Sequence, residues 1–405
     1  MEIFEKLFNM TALGGITPGM ILMWLIGTVL LFLGIHKKYE PLLLVPIAFG
    51  LLIANFPGVL VSGEPMGVVS TEQAPGITHL TMLEIAKEYG IINFVYYSLI
   101  KTGFLPPVIF MGVGALTDFG PMLRNLRLAF FGAAAQIGIF TVLICAILVG
   151  FSIEEAASLG IIGGADGPTA IYTTIILADH LLGPVAIAAY SYMALVPVII
   201  PLVVKMTCNT SELQINMKLQ DKLFPGKIEI KNIKTVKIIF PIVLSLVIGL
   251  IVPSALPLAG MLLFGNLIKE IGTSTERLSK AASGPIMNTA TIFLGLSVGA
   301  TMTASEFLQW ETIGIIVGGF LAFGISIGGG IFAVKGYNFF NKKKINPLIG
   351  ATGLSAVPMA SRVANEIALK HDPQNHLLQY AMASNISGVI GSAVAAGVLI
   401  SFLAG

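Results

Sequence analysis

The run Gly163-Gly164-Ala165-Asp166-Gly167-Pro168-Thr169 sets one carboxylate between two apolar stretches. In most proteins Asp-Gly-Pro reads as a turn between helices. Here the flanks are apolar enough to lie at membrane depth, and an ionisable group at that depth is by default a functional site. The carboxylate, the hydroxyls of Thr169 and Thr173, and carbonyls freed at the turn make a hard oxygen site. Such donors suit Na⁺ or H⁺ rather than a soft transition metal. A second broken stretch, about 346–368, carries Asn346, Thr352, Ser355, Arg362, Asn365 and Glu366. Asn346, Thr352 and Ser355 offer neutral oxygens to a cation. Arg362 offers a planar fork that matches a carboxylate or similar anion; its alternative is a structural pair with Glu366 at i,i+4. Asn385, in Ser384-Asn385-Ile386-Ser387-Gly388, is either a polar participant or a packing amide among small residues. Tyr192 is either part of the same site or core filler with a satisfied hydroxyl.

Other chemistries lack their residues. His36, His79, His180, His371 and His376 do not cluster, and no metal-ligand or nucleophile–base spacing is present. There is no Gly-Lys-Ser or Gly-Lys-Thr phosphate cradle, so the chain does not read as ATP-driven. Nor is there an Ala-Met-Lys-Met biotin attachment sequence; Ala381-Met382-Ala383 lacks the lysine.

The elements that must hold these groups follow from composition. Of 405 residues, 55% are hydrophobic and 11% charged, against about 25% charged in a soluble domain. With a mean hydropathy of +0.90, this excludes a soluble enzyme, a disordered chain and a nucleic-acid binder. Glycine, at 45 residues, is enriched as in helices that pack closely or break within a bilayer. Cys145 and Cys208 exclude a disulfide scaffold, and no cleaved signal peptide is expected. Stretches long enough to cross, at about 20 residues, or nearly so, are 18–35, 40–56, 98–116, 128–151, 182–204, 236–252, 255–268, 285–303, 312–334 and 376–403. Two more, about 158–178 and 346–368, are interrupted by Gly, Pro and polar residues and read as re-entrant hairpins, which the bilayer tolerates only when buried in protein or lining water. The expected fold is an all-α integral membrane protein of about ten transmembrane helices plus two re-entrant hairpins.

Basic residues orient it. With 205–237 and its seven lysines in the cytoplasm, 19 of the 23 Lys and Arg fall inside. Only Lys6 and Lys87 fall outside; Lys101 and Arg362 lie within membrane segments. The positive-inside rule then puts both termini outside and the repeat linker inside. The halves also resemble each other. Ile109-Phe110-Met111-Gly112 matches Ile292-Phe293-Leu294-Gly295 at an offset of 183 (292 − 109), and the run from Gly164 to Ala170 matches Gly350 to Ala356 at 186 (350 − 164). Phe49-Gly50 matches Phe264-Gly265 at 215 (264 − 49). With five spans and a hairpin each, the halves are expected to be inverted repeats, a transporter signature that puts the binding site at their interface. The expected division is 1–207 for the first repeat, with a polar outward insertion at 57–90; 208–234 for the cytoplasmic linker; and 235–405 for the inverted second repeat.

At Gly163–Thr169 the chain resembles the β subunits of the biotin-dependent, sodium-pumping decarboxylases that act on oxaloacetate, methylmalonyl-CoA, glutaconyl-CoA or malonate. Further blocks carry the likeness: Asn346-Pro347-Leu348-Ile349-Gly350; Ser355-Ala356-Val357-Pro358-Met359-Ala360-Ser361-Arg362-Val363; Pro373-Gln374-Asn375; and Asn385 with Gly388-Val389-Ile390-Gly391-Ser392-Ala393. The resemblance implies a carboxybiotin decarboxylase of the translocase class, in the cytoplasmic (inner) membrane. It implies a carboxyltransferase α subunit, a biotin carrier subunit and a small membrane anchor subunit as partners, and a homo-oligomer within the complex. Na⁺ is the exported ion, and carboxybiotin arrives on the carrier. By the same resemblance Asp166 binds Na⁺; Tyr192, Asn346, Gly350, Ser355 and Asn385 belong to the ion and proton path; and Arg362 contacts carboxybiotin. The competing class is a secondary Na⁺/H⁺ or Na⁺/carboxylate transporter without decarboxylase chemistry. A third reading is a passive scaffold subunit.

Overall fold

The computed structural model describes residues 15–38, 41–57, 60–61, 64–65, 81–88, 90–224 and 232–404. Most of the 57–90 insertion, with Glu72 and His79, and residues such as Lys6, Lys227 and Lys231 lie outside them. The chain is an all-α integral membrane protein. Strand pairing among the described residues is confined to Leu60–Val61 against Glu64–Pro65. The helices include α1 (Pro18–Ile35), α2 (Pro41–Ala54), α3 (Leu105–Leu116), α4 (Leu126–Ala135), α5 (Ile137–Val149), α6 (Ile153–Gly160), α7 (Gly167–Leu177), α8 (Leu182–Thr207), α9 (Ile233–Ile251), α10 (Met261–Ile271), α11 (Met287–Ala300), α12 (Trp310–Phe340), α13 (Leu348–Ala351), α14 (Met359–His371) and α15 (Leu378–Leu403).

Among the described residues, seven stretches are long and apolar enough to cross a bilayer, or nine if two bent pairs each count as one span. Each of the ten expected spans falls on one of these or on α2. α2 departs from a plain span: its 14 residues reach only about 21 Å, short of a hydrocarbon core of about 30 Å. The bends have local causes. Gly90–Ile100 and Leu105–Leu116 meet at 72°, at Gly103 with φ +70, a conformation that favours glycine. α8 bends by 68° between Met193 and Leu195. Pro197 lies four residues on, so its missing N–H and its ring break the helix at the Met193 carbonyl.

Close crossings tie the halves together. A methyl group on Gly50 of α2 would strike the backbone of Leu296, Gly299 and Ala300 in α11, and one on Gly299 would strike Ile47 and Leu51. A methyl on Gly265 of α10 would strike Met111 and Ala115 in α3, and one on Gly114 would strike Leu262 and Asn266. The second crossing matches the first with the halves exchanged. It pairs α2 with α10 at an offset of 215 (265 − 50) and α3 with α11 at 185 (299 − 114). The contact register differs by two residues from the offset of 183 read from the sequence words. Short Phe-containing words slide easily along Gly-rich apolar sequence, whereas backbone contact fixes the register. Each crossing is also capped by an amide. Asn266 Nδ2 donates to the Thr117 carbonyl at 2.7 Å, and Asn55 Nδ2 to the Met302 carbonyl at 2.6 Å.

Both broken stretches fold as hairpins. In the first, Ser152 and Glu155 form a capping box at the start of α6. A 3₁₀ turn, Ile161–Gly164, leads to Ala165 at φ +58, and Asp166 caps α7. In the second, α13 is one short turn, an irregular segment follows, and α14 returns. The described part of the linker docks beneath the second hairpin. Lys335 bonds Glu212 at 2.9 Å, Lys343 bonds Asp221 at 2.7 Å, and the Tyr380 hydroxyl donates to Asp221 at 2.7 Å.

Candidate functional site at the meeting of two hairpins

The two hairpin apexes touch. The Ser355 N–H of the second donates to the Gly164 carbonyl of the first at 3.0 Å. Asp166 lies beside this joint and is 5% exposed. Its position follows from the sequence: Asp is a preferred N-cap, and Pro168 suits the first helical turn. Asp166 Oδ1 accepts from the Thr169 N–H at 3.3 Å. Oδ2 accepts from the Ser392 hydroxyl of α15 at 2.9 Å. Ser392 in turn accepts from the Ser355 hydroxyl at 2.7 Å. A hydroxyl relay thus joins the second hairpin, α15 and the buried carboxylate. Close to it, Thr169 Oγ1 and the Tyr190 hydroxyl are buried without a hydrogen-bond partner, as is Thr173 Oγ1 about two turns further along α7. Buried polar groups are normally satisfied, so this oxygen-rich shell suits a small hard cation. Among the described residues no group of three or more His, Cys, Asp or Glu gathers to hold a metal.

The other residues singled out in sequence take varied places. Ser355 is in the relay. Thr352 is fully buried, with its hydroxyl on the Ile349 and Ala381 carbonyls at 2.8 and 3.0 Å. Asn385 is engaged at both ends: Nδ2 donates to the Leu354 carbonyl, and Oδ1 accepts from the Ser361 hydroxyl at 3.3 Å. It braces both arms of the second apex. Asn346 faces the linker instead of the carboxylate. Its Nδ2 donates to the Leu213 and Ile215 carbonyls at 2.8 and 3.0 Å, and its Oδ1 accepts from the Leu348 N–H at 3.0 Å. Asn375 joins it on the Ile215 carbonyl at 3.0 Å. Gly350 lies against Gly330 of α12 so closely that a methyl on either would strike the other's backbone. Tyr192 donates to the Ile316 carbonyl of α12 and packs on Phe320 and Phe323. Its neighbour Tyr190 packs against Gly167, next to Asp166. Arg362, in the first turn of α14, is exposed, as is Glu366. Among the described residues Arg362 has no ion-pair partner, so the Glu366 pairing that helical spacing allows is not formed. Asn365 Oδ1 accepts from the Leu377 and Leu378 N–H groups at 2.8 and 3.1 Å, capping α15.

Sequence reasoning passed over Ser392 and Tyr190. Ser392 stands in a Gly-Ser-Ala stretch where a small polar residue reads as packing, and nothing local marks it out.

The model of the family described as Na⁺-transporting oxaloacetate decarboxylase beta subunit matches residues 19–403. A methylmalonyl-CoA decarboxylase subunit beta from Propionigenium modestum is 47% identical over 99% of each chain. An oxaloacetate decarboxylase beta chain from Haemophilus ducreyi is 42% identical over 100% of this chain and 99% of its own. A methylmalonyl-CoA decarboxylase subunit beta from Veillonella parvula is 43% identical over the same shares. By this full-length likeness the chain belongs to the family of beta subunits of Na⁺-transporting decarboxylases.

Proposed function

We propose that this chain decarboxylates carboxybiotin presented by a partner biotin carrier subunit and couples that step to Na⁺ export across the cytoplasmic membrane. A carboxyltransferase α subunit loads the carrier, and a small membrane anchor subunit completes the complex. The observation that carries the reading is the relay Ser355–Ser392–Asp166 at the contact of the two hairpins. It places the one buried carboxylate among the described residues where motion of either hairpin alters its surroundings. The matched crossings of α2 with α11 and α3 with α10 support inverted repeats that rock about this point. Both termini outside and the linker inside are supported by the basic residues, 19 of 23 Lys and Arg falling on one side.

The energetics close. Exporting one cation against 100 mV costs about 2.3 kcal/mol, and a tenfold gradient adds about 1.4 kcal/mol. Two ions per turnover need about 7 kcal/mol, which irreversible loss of CO₂ can supply. Arg362, free of Glu366, is available to an arriving anion.

Asp166→Asn tests the proposal. A neutral amide offsets the cation's lost hydration far less well than a carboxylate. The variant is expected to insert and fold, yet lose Na⁺-dependent decarboxylation of carrier-linked carboxybiotin in the reconstituted complex. Normal Na⁺ transport would defeat the assignment. Transport that is independent of the biotin carrier would favour a secondary transporter.

A further inference from the structure

Gln136 stands where a plain membrane span carries an apolar residue. It is the joint between α4 and α5, within the 24-residue apolar stretch Leu126–Val149. Its Nε2 faces three carbonyls: Gly132 of α4 at 3.1 Å, Gly353 of the second apex at 3.3 Å and Gly388 of α15 at 3.4 Å. A primary amide has two N–H donors and one carbonyl acceptor. Only the NH₂ end can face carbonyls, so these partners fix the orientation of the amide and turn its oxygen away from them. That oxygen, Oε1, is buried and has no partner.

Its surroundings are specific. A methyl on Gly164 would lie 3.7 Å from Gln136 Oε1 and 3.1 Å from Ser392 Cβ. A methyl on Gly391 would lie 3.4 Å from Gln136 Cδ. The oxygen therefore stands over the bare Cα of Gly164, two residues before Asp166, on the side from which Ser392 reaches the carboxylate. An unsatisfied buried carbonyl lowers stability unless a ligand meets it, and a neutral amide oxygen is a hard donor.

We infer that Gln136 Oε1 is a further ligand of the monovalent cation held at Asp166. The inference rests on reading Asp166 as the cation site. The three-carbonyl clamp aims the oxygen, and two of those carbonyls belong to the second hairpin and α15. Displacing that hairpin releases the amide, so the same movement that carries the decarboxylation site also unmakes an ion ligand.

The test uses the reconstituted complex and three variants: Gln136→Met, Gln136→Glu and Asp166→Asn. The readouts are the half-saturating Na⁺ concentration for decarboxylation, the preference for Na⁺ over Li⁺, and the Na⁺-induced rise in melting temperature. Gln136→Met removes oxygen and clamp together; half-saturating Na⁺ is expected to rise about tenfold or more, one lost favourable contact, and thermal protection by Na⁺ to shrink. Gln136→Glu removes the clamp but keeps an oxygen and adds charge; its Na⁺-free melting temperature is expected to fall while half-saturating Na⁺ drops below the parent's and the Li⁺ preference changes. If both variants only lose stability, with half-saturation and ion preference at the parent's values, Gln136 is a structural clamp and the inference is overturned. Should Gln136→Met fail to fold, the Gln136→Glu half-saturation and ion preference decide alone. Loss of Na⁺ dependence in Asp166→Asn with parental Na⁺ behaviour in both Gln136 variants sinks this inference only; retained Na⁺ dependence in Asp166→Asn sinks the reading beneath it.

Discussion

Ser392→Ala isolates the middle of the relay. The substitution removes one hydroxyl and nothing else, in a buried position on α15. Asp166 Oδ2 loses its donor at 2.9 Å, while Oδ1 keeps the Thr169 N–H at 3.3 Å. Ser355 is not orphaned, because its hydroxyl also lies 3.2 Å from the Gly388 carbonyl. The effect is therefore confined to the carboxylate. In the ion-loaded state that carboxylate must stay charged, and each hydrogen bond it accepts offsets part of its lost hydration. A hydrogen bond to a charged group contributes about 1.5–3 kcal/mol. That converts to a rise in half-saturating Na⁺ of roughly 10- to 150-fold; the smaller end is expected, since Thr169 remains. The assay is Na⁺-dependent decarboxylation by the reconstituted complex, with the melting temperature at saturating and zero Na⁺ as a control for folding. A double-mutant cycle with Asp166→Asn should show strong coupling. A folded Ser392→Ala protein with unchanged half-saturation, or additive effects in the cycle, would refute the relay.

Three further outcomes are expected. Arg362→Gln should abolish the response to carrier-linked carboxybiotin while leaving Na⁺-induced thermal protection, and adding Glu366→Gln should not restore activity; recovery in the double variant would reinstate the helical ion pair. Gly350→Ala should cost about 1–3 kcal/mol or more by overpacking, because the added methyl meets the Gly330 backbone; an unchanged melting temperature would show that the crossing is looser than described. Partial burial works against the charge of Asp118, but Lys237 and the Gly120 N–H hold its carboxyl below the usual range. A depressed carboxylate stabilises fully above its unfolded value of about 3.9 and loses that contribution as pH falls through the folded value. The melting-temperature gap between the parent and Asp118→Asn should thus be level at neutral pH and close below about pH 4; a gap that widens with acid would contradict the sign.

Local chemistry was legible in the sequence. Hydropathy needs no tertiary contact, so each expected span met a helix or a bent pair, with α2 shorter than expected. The Asp166 turn was also legible, since an N-cap Asp before Gly-Pro is a local signal. What the sequence left open was decided by contacts between elements far apart in the chain. Asn346 and Ser355 looked equivalent as oxygen donors, yet one is bound to the linker and the other lies in the relay. Tyr192 and Tyr190 stand two residues apart, about 200° around the helix, and only packing decides that the first faces α12 and the second Gly167. Ser392 and Gln136 carried no local signal, because their meaning comes from partners more than 200 residues away. In a bilayer every polar group must find its partner inside the protein. Sequence counts and spaces those groups, but only the crossing of helices at bare glycines determines which of them meet.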